Sequence, residues 1–284
     1  MTRLYYLCLL LALLSSCRTE EVQQDPVHLK ISSALISRAA KTEFKDGDRL
    51  GLYCLDEQER RYNDCPCSIN NPATYQGGEW QLKHPVELSE ESCYIYAYYP
   101  YSSSANDSRI LPVESQSQTD YLYSVALSAN RTAPSPRLQM RHALSLIRIQ
   151  LLRGDYVGAG RVGEVYLHGI YREGNLDLRS GRIDPIGTRS DEVHSFQTQL
   201  GEEQAIDLPI LVIPQSCEGV DIRFTIDGSN YVYSPPARSW EAGKEILYVL
   251  RVDPNSTLHL LATESIEGWT SGGIIRTNLK PQKN

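Results

Sequence analysis

The sequence predicts an all-β protein made of two β-sandwich domains. Tyrosine is abundant, with 18 residues against three phenylalanines, and tyrosine, valine, isoleucine and threonine all favour strands. No segment shows a long apolar period of 3.6 residues, and turn-forming residues recur about every ten positions, as in a sandwich. The chain has 284 residues, which suits two domains of ~130 residues, each long enough to bury a core.

The first 16 residues have the pattern of a secretory signal peptide. Arg3 supplies a positive start, and residues 4–14 form an apolar run that is too short for the ~20 residues of a membrane span. The stretch Leu14-Ser15-Ser16-Cys17 resembles the bacterial lipobox, in which signal peptidase II cuts before the cysteine and lipid is attached to its thiol. We therefore predict a signal peptide over 1–16 and lipidation of Cys17. An ordinary secretory signal with an incidental cysteine is the alternative.

Residues 17–26 are polar and are predicted to form a flexible tether between the lipid and the folded body. The acidic pair Glu20-Glu21 resembles the export signal of lipoproteins displayed on the surface of Bacteroidetes. More than one acyl chain on Cys17 would give stable anchoring, because a single chain binds a membrane only marginally. The expected location is therefore the outer membrane, at the cell surface.

The N-terminal domain is predicted over residues 27–157. Residues 27–32 alternate apolar and polar, which predicts a half-buried strand. Residues 93–101 are apolar on both faces and predict a central strand that ends at Pro100. Further strands are predicted at 50–54, 79–82, 121–126 and 138–151. The alternation of the last stretch slips by one residue near Ala143, which indicates a bulge or a short turn.

The C-terminal domain is predicted over residues 158–284. Gly154, Gly158 and Gly160 form the best candidate linker, so the domain boundary is placed near 157. Asp227-Gly228 lies between two apolar stretches and predicts a hairpin turn. The predicted strands cover 162–167, 174–178, 193–200, 205–213, 219–226, 231–234, 245–252 and 257–263.

The cysteine count excludes a complete disulfide framework within one chain. Of seven cysteines, Cys8 leaves with the signal and Cys17 takes the lipid. Five remain, an odd number, so at least one should be a free thiol: Cys54, Cys65, Cys67, Cys93 and Cys217. Cys65-Pro66-Cys67 has the spacing of a metal or redox pair, but no second Cys/His pair at zinc spacing stands nearby. A loop with one disulfide is the favoured interpretation.

Other polar residues that could carry chemistry have simpler explanations. Asp46 and Asp48 flank Gly47, and two carboxylates fall short of the six or more oxygens that calcium needs, so a turn is favoured. His142 lies at the slip in alternation and is expected to bond a backbone carbonyl rather than to be catalytic. The tyrosines of 94–101 could stack on sugars, but core packing with the hydroxyl reaching an edge is favoured.

Several stretches, in this order, resemble the fimbrillin-like (Mfa-like) family of Bacteroidetes surface lipoproteins. The matching pieces are the stretch ending at Cys17, 44–53 with Gly47-Asp48, 96–101, 140–151 with His142, 208–215, 242–244 leading to Tyr248, and 266–269. The resemblance implies two sandwich domains of transthyretin-like topology, assembly into fimbriae and adhesion. Family members serve as shaft, anchor or tip subunits, and the resemblance leaves that role open.

The resemblance also implies how subunits join. In the family, a protease can remove the first strand, and a strand from a neighbouring subunit then fills the groove. Arg38-Ala39 follows the first predicted strand in a polar loop, where an arginine-specific protease could cut; a solvated arginine is the alternative. The donor-strand candidates in the short tail are Ile274, Ile275 and Leu279. We predict an uncut, lipidated chain suited to an anchor or accessory role.

The leading hypothesis is therefore a structural, accessory or anchor subunit of a fimbrium, with other subunits and a host or bacterial surface ligand as partners. The alternative is a lipid-anchored surface glycan-binding protein, with Trp80, Trp240 or the tyrosines as stacking platforms. The sequence contains no Gly-x-Ser-x-Gly, His-Glu-x-x-His or phosphate-loop motif, so neither an enzyme nor a metal or cofactor is predicted. A net charge of −7 without a basic patch argues against nucleic acid.

Overall fold

The structure, a computed structural model, describes residues 25–36, 43–202 and 204–252, and the backbone of 270–281. Its regular elements within these ranges are strands, apart from two short 3-10 helices, Tyr62–Asp64 and Pro66–Ser68. The predicted all-β class is thereby confirmed. Among the described residues, no helix has the length and apolarity needed to cross a bilayer. The predicted signal peptide, Cys17, Arg38-Ala39 and the predicted strand 257–263 all lie outside the described residues.

The first half of the described chain contains eight strands. In chain order they are β1 (Ser33–Ile36), β2 (Arg49–Leu55), β3 (Asn71–Gln76), β4 (Glu79–Leu82), β5 (Cys93–Tyr99), β6 (Leu111–Glu114), β7 (Leu122–Ala129) and β8 (Arg137–His142). Seven of them form one sheet in the order β1-β8-β7-β5-β2-β3-β4. β5 lies inside this sheet between β7 and β2, with both faces covered, as the sequence predicted.

The second half contains twelve described strands. They are β9 (Ser145–Leu152), β10 (Arg161–Ile170), β11 (Glu173–Asp177), β12 (Arg182–Ile186), β13 (Ser190–Gln199), β14 (Ile206–Val212), β15 (Gln215–Ser216), β16 (Asp221–Ile226), β17 (Ser229–Tyr233), β18 (Ser239–Trp240), β19 (Lys244–Val252) and β20 (Thr270–Pro281). Eight of these form a sheet in the order β13-β10-β16-β17-β20-β19-β9-β14. The hairpin predicted at Asp227-Gly228 connects β16 to β17, and both turn residues have positive φ.

The eight-stranded sheet folds over on itself as a sandwich. β17 and β20 share only two residue pairs, Tyr231 with Pro281 and Val232 with Lys280, so the sheet is hinged there. Apolar side chains from both four-stranded halves, including Phe224 and Tyr248, meet in one buried core. Packing of two sheet faces around one apolar layer is the sandwich arrangement that the alternating sequence predicted.

A three-stranded sheet, in the order β12-β11-β6, joins the two halves of the chain. Its apolar residues, among them Leu111 and Leu176, pack on the tyrosine-rich face of the seven-stranded sheet. The Tyr98 hydroxyl in this layer donates to Asn70 Oδ1 at 2.6 Å, and burial raises the pKa of Tyr98 to about 12. These tyrosines are therefore core residues whose hydroxyls reach polar partners, as the sequence favoured.

The chain changes sheets earlier than the predicted boundary near residue 157. β8 ends at His142 in the seven-stranded sheet, and β9 begins at Ser145 in the eight-stranded sheet, between β19 and β14. The slip in alternation near Ala143 thus coincides with a passage from one sheet to the other. The division into domains 27–157 and 158–284 remains a proposal, and the strand pairing favours a boundary at 143–144.

Candidate strand-exchange site

The N-terminal segment 27–36 lies in a slot formed by two other stretches of the first half. The Leu88 N–H donates to the Val27 carbonyl at 2.8 Å, and the Leu29 N–H donates to the Val86 carbonyl at 2.9 Å. Farther along, the Lys30 N–H donates to the Pro134 carbonyl at 3.0 Å. The segment is therefore held by backbone hydrogen bonds on two sides, although its predicted strand over 27–32 contains only an isolated bridge, between His28 and Glu87.

The same segment then continues as β1 and becomes an edge strand. β1 pairs in parallel with β8, from Ser33 opposite Arg137 to Ile36 opposite Met140. The Ser32 side chain donates to the Pro136 carbonyl at 2.9 Å just before this pairing starts. The segment thus contributes extended backbone and core side chains at the border of the seven-stranded sheet.

The side chains of this segment contribute to the core of the first half. Leu29 and Ile31 are only 4% and 5% exposed, and they pack in the same apolar cluster as Leu50, Leu138 and Met140. Ala34 and Ile36 pack against that cluster, whereas Leu35 is 59% exposed. The predicted alternation is confirmed, but the inward positions change from odd to even residues between Ile31 and Ala34.

A cavity of about 290 Å³ lies beside β1, between it and the opposite border of the sheet. Trp80 of β4 and Phe44 line it, with their ring centroids 5.0 Å apart in an edge-to-face contact. Tyr75 packs on Trp80 at 5.1 Å. These rings and residues 32–36 line the same cavity, so loss of the segment would open the cavity and its aromatic lining to solvent.

The C-terminal strand β20 occupies an internal position in the eight-stranded sheet. It runs parallel to β19 from Thr270 opposite Lys244 to Leu279 opposite Val252, with one irregularity near Glu245. On its other side it meets β17. Sequence analysis named Ile274, Ile275 and Leu279 only as separate donor-strand candidates. It did not predict that they belong to one strand of twelve residues. The available signal was the adjacent apolar pair at 274 and 275, followed after three polar residues by Leu279.

The other residues singled out from the sequence have structural roles. Cys65 and Cys67 form a disulfide with each other, so neither offers a thiolate to a metal. Within the described ranges, no group of three or more His, Cys, Asp or Glu side chains is placed to hold a metal ion. His142 contacts the Asp120 carboxylate through Nδ1 at 2.7 Å, so this side chain holds its imidazole, and the expected bond to a backbone carbonyl stays a prediction.

A cluster of polar side chains that the sequence did not reveal connects the two halves of the chain. Glu192 is fully buried and accepts a hydrogen bond from the Ser115 hydroxyl of the first half. His194 Nε2 lies 2.8 Å from Glu192 Oε1, and Arg172 Nε lies 3.8 Å from Glu192 Oε2. Serine and histidine both contact the carboxylate rather than each other, so the histidine is not placed to take the serine's proton. The arrangement positions charges at the junction of the two halves.

Both tryptophans named as sugar-stacking platforms are buried. Trp240 is 0% exposed, and its indole N–H donates to the Tyr248 hydroxyl at 3.0 Å inside the second core. Trp80 is buried against the aromatic rings beside β1. Trp240 is closed off from solvent, and Trp80 is only 7% exposed where it lines the cavity beside β1, so neither indole offers an open stacking face to a glycan.

Comparisons with known proteins give one family match and several solved structures of similar fold. The sequence profile described as fimbrillin-like matches residues 37–269. A candidate cell adhesion protein from Bacteroides uniformis is 17% identical, with a TM-score of 0.65 over 91% of this chain and 98% of its own. Another from Bacteroides ovatus is also 17% identical, with a TM-score of 0.64 over 87% and 98%. A fimbrial protein from Bacteroides vulgatus is 12% identical, with a TM-score of 0.55 over 91% and 98%. A comparison with the curated proteins finds no match.

Proposed function

Because the chain belongs to the fimbrillin-like family, which gives it a fimbrial, adhesion-related role at the cell surface, we propose that it is an anchor or accessory subunit of a fimbrium. The observation that carries this proposal is the N-terminal segment, whose buried Leu29 and Ile31 complete the core of the first half. Among the described residues, a chain that keeps this segment fills its own slot between 86–88 and 134–140. Such a subunit suits the base or the side of a fimbrium better than its growing shaft.

Interaction with other fimbrial subunits follows from the family, and strand exchange is the mode that we propose for it. Removing 27–36 would expose the apolar surface now under Leu29 and Ile31, at ~1.5–3 kcal/mol for each side chain. The combined cost of about 3–6 kcal/mol compares with a total stability of ~5–15 kcal/mol for a domain. A subunit without its first strand would therefore depend on a donor strand from a neighbour.

Two strands of this chain are suited to such an exchange. Segment 27–36 is an edge element held mostly by backbone hydrogen bonds, which any extended chain of suitable side-chain pattern could replace. β20 is a twelve-residue terminal strand, which is long enough to fill a ten-residue slot. We propose that β20 or a neighbour's equivalent is the donor, and that Arg38-Ala39 is where a protease would open the acceptor.

Peptide complementation tests strand exchange directly. A protease site placed at Arg38-Ala39 would allow controlled removal of the first strand, and synthetic peptides of residues 27–36 and 270–281 would then be added. We expect the cut protein to lose stability and to regain it with the first peptide as positive control, and with the second if β20 is a donor. Binding of neither peptide, or equal binding of a scrambled peptide, would contradict the proposal.

The membrane anchor is a separate proposal that rests on the lipobox-like stretch ending at Cys17. Diacylglycerol on the thiol and an acyl chain on the amino group would hold the mature chain in the outer membrane. N-terminal analysis of the protein from purified fimbriae distinguishes the roles. An acylated Cys17 supports the anchor or accessory role, whereas a chain that starts at Ala39 shows a processed shaft-type subunit.

The adhesive role of the family supports a function without catalysis. We propose that the ligand, if this subunit binds one, is engaged by surface contacts rather than by a reactive site. Recombinant protein that hydrolyses model esters or glycosides would overturn this point.

A further inference from the structure

Two buried cysteines on neighbouring strands have no assigned role. Cys54 lies in β2 and Cys93 in β5, and both are 0% exposed. The two strands are antiparallel neighbours, with Cys54 directly opposite Ile95. Cys93 is therefore the diagonal neighbour of Cys54 on the same face of the sheet, a position at which Cα atoms are commonly ~7–8 Å apart and Cβ atoms closer.

The two side chains point into the same apolar cluster, together with Leu50, Leu52 and Ile95. Their thiols interact: contact with Cys93, followed by burial, raises the pKa of Cys54. Cys217, by contrast, is buried in the separate core of the second half, where its thiol donates to the Pro236 carbonyl.

We propose that Cys54 and Cys93 form a disulfide in the exported protein and thereby cross-link β2 to β5. The reaction oxidises two thiols, which lose two protons and two electrons, and reduces the disulfide of an envelope thiol–disulfide oxidoreductase to a dithiol. One thiolate attacks the oxidoreductase disulfide, and the second displaces the enzyme from the mixed disulfide and closes the S–S bond. Because both sulfurs are inaccessible in the folded protein, the exchange takes place during folding after export.

The compartment and the position of the pair both favour this bond. Disulfides form and persist in proteins that leave the cytoplasm, and the fimbrial role places this chain at the cell surface. A link between residues 54 and 93 closes a long loop of the unfolded chain and so restricts it strongly. The Cys65–Cys67 disulfide, with a sequence separation of 2, restricts almost nothing. The inference rests on the cell-surface location alone and not on strand exchange or lipidation.

Thiol counting and peptide mapping of the wild-type protein test the proposal. The protein is exported in its native host, unfolded without reductant and alkylated. Among Cys54, Cys65, Cys67, Cys93 and Cys217, we expect only Cys217 to be labelled, because Cys65 and Cys67 are bonded to each other. Trypsin should then release residues 50–60 linked to residues 84–109, and reduction should separate them. Alkylation of both Cys54 and Cys93 would overturn the proposal, as would a link from either one to the peptide of residues 62–83.

Thermal unfolding gives a second measurement. Reduction of the unfolded protein before refolding should lower the Tm by roughly 10 °C through loss of the long-loop link. A variant in which Cys65 and Cys67 are both replaced by serine is the matched control, and its Tm should change little. Cys54→Ala/Cys93→Ala should be insensitive to reductant. A wild-type Tm that does not respond to reductant would contradict the proposal, and neither result depends on how subunits assemble.

Discussion

The stability of the first half should depend on two side chains of the N-terminal segment and not on their neighbour. Leu29 and Ile31 are almost fully buried in the first core, whereas Leu35 of β1 is 59% exposed. Truncation of a buried leucine or isoleucine to alanine costs about 2–5 kcal/mol, because transfer energy is lost and a cavity remains. We therefore expect this loss for Leu29→Ala and for Ile31→Ala. Leu35→Ala should stay within about 0.5 kcal/mol of wild type.

The destabilisation by Leu29→Ala or Ile31→Ala should be confined to the first half, because the second half has its own core. Hydrogen exchange measured by mass spectrometry at increasing urea reports the opening free energy of each strand separately. Peptides that cover β2, β5 and β8 should exchange faster in Leu29→Ala and Ile31→Ala. The loss in their opening free energy should equal the loss in the free energy of unfolding that urea unfolding measures. Peptides that cover β10 and β16 should keep their wild-type rates.

Two outcomes would refute this reasoning. If Leu29→Ala and Ile31→Ala resemble Leu35→Ala in stability, the segment 27–36 does not complete the core. If β10 and β16 open together with β2, the two halves unfold as one unit. In that case the removal of the first strand would destabilise the whole subunit, and an exchange confined to the first half would be untenable.

Three further predictions concern the anchor, the pH range and the junction. Cys17→Ala should release the protein from the membrane fraction, and its retention in a salt-washed membrane pellet would contradict the lipid anchor. Burial raises the pKa of Tyr98 to about 12, from ~10 in the unfolded chain. The stabilisation that its neutral hydroxyl gives the folded state is therefore complete below pH ~10 and is lost as the pH rises toward 12. Between pH 10 and 12 the urea midpoint should therefore fall less steeply with pH in Tyr98→Phe than in wild type. Identical slopes for the two proteins would contradict this. Glu192→Ala leaves Arg172 and His194 without their carboxylate and should cost about 3 kcal/mol by urea unfolding; a loss below about 1 kcal/mol would show that the pairing is weak.

Local patterns in the sequence were sufficient for most of the strands and for many of their faces, but β3, β6 and β12 were not predicted. Alternation identified Leu29 and Ile31 as inward-facing, and Asp227-Gly228 marked the β16–β17 hairpin. The run of tyrosines after Cys93 predicted a strand covered on both faces, which β5 is. These features depend on residues close together in the chain, so the side-chain period and the turn residues report them directly.

The predicted site was only partly accessible to the same reasoning. Cys17, Arg38 and Ala39 came from short motifs and lie outside the described residues, so they remain predictions. The slot for 27–36 is built from stretches near 86–88 and 134–140, which are far away in sequence. Alternation indicates that a strand has an inner face but does not identify which distant stretches will pair with it.

The sequence by itself therefore determined the all-β class, most of the strands, the Asp227-Gly228 turn and the odd number of cysteines that follow Cys17. Only the tertiary structure decided that β9 belongs with β14 and β19, that β6 pairs with β11, and that β20 inserts beside β19. It also decided that Cys54 and Cys93 meet. The physical reason is that a period of two residues records only which side of a strand is apolar, whereas the partner of each strand is chosen by packing between segments that are remote in the chain.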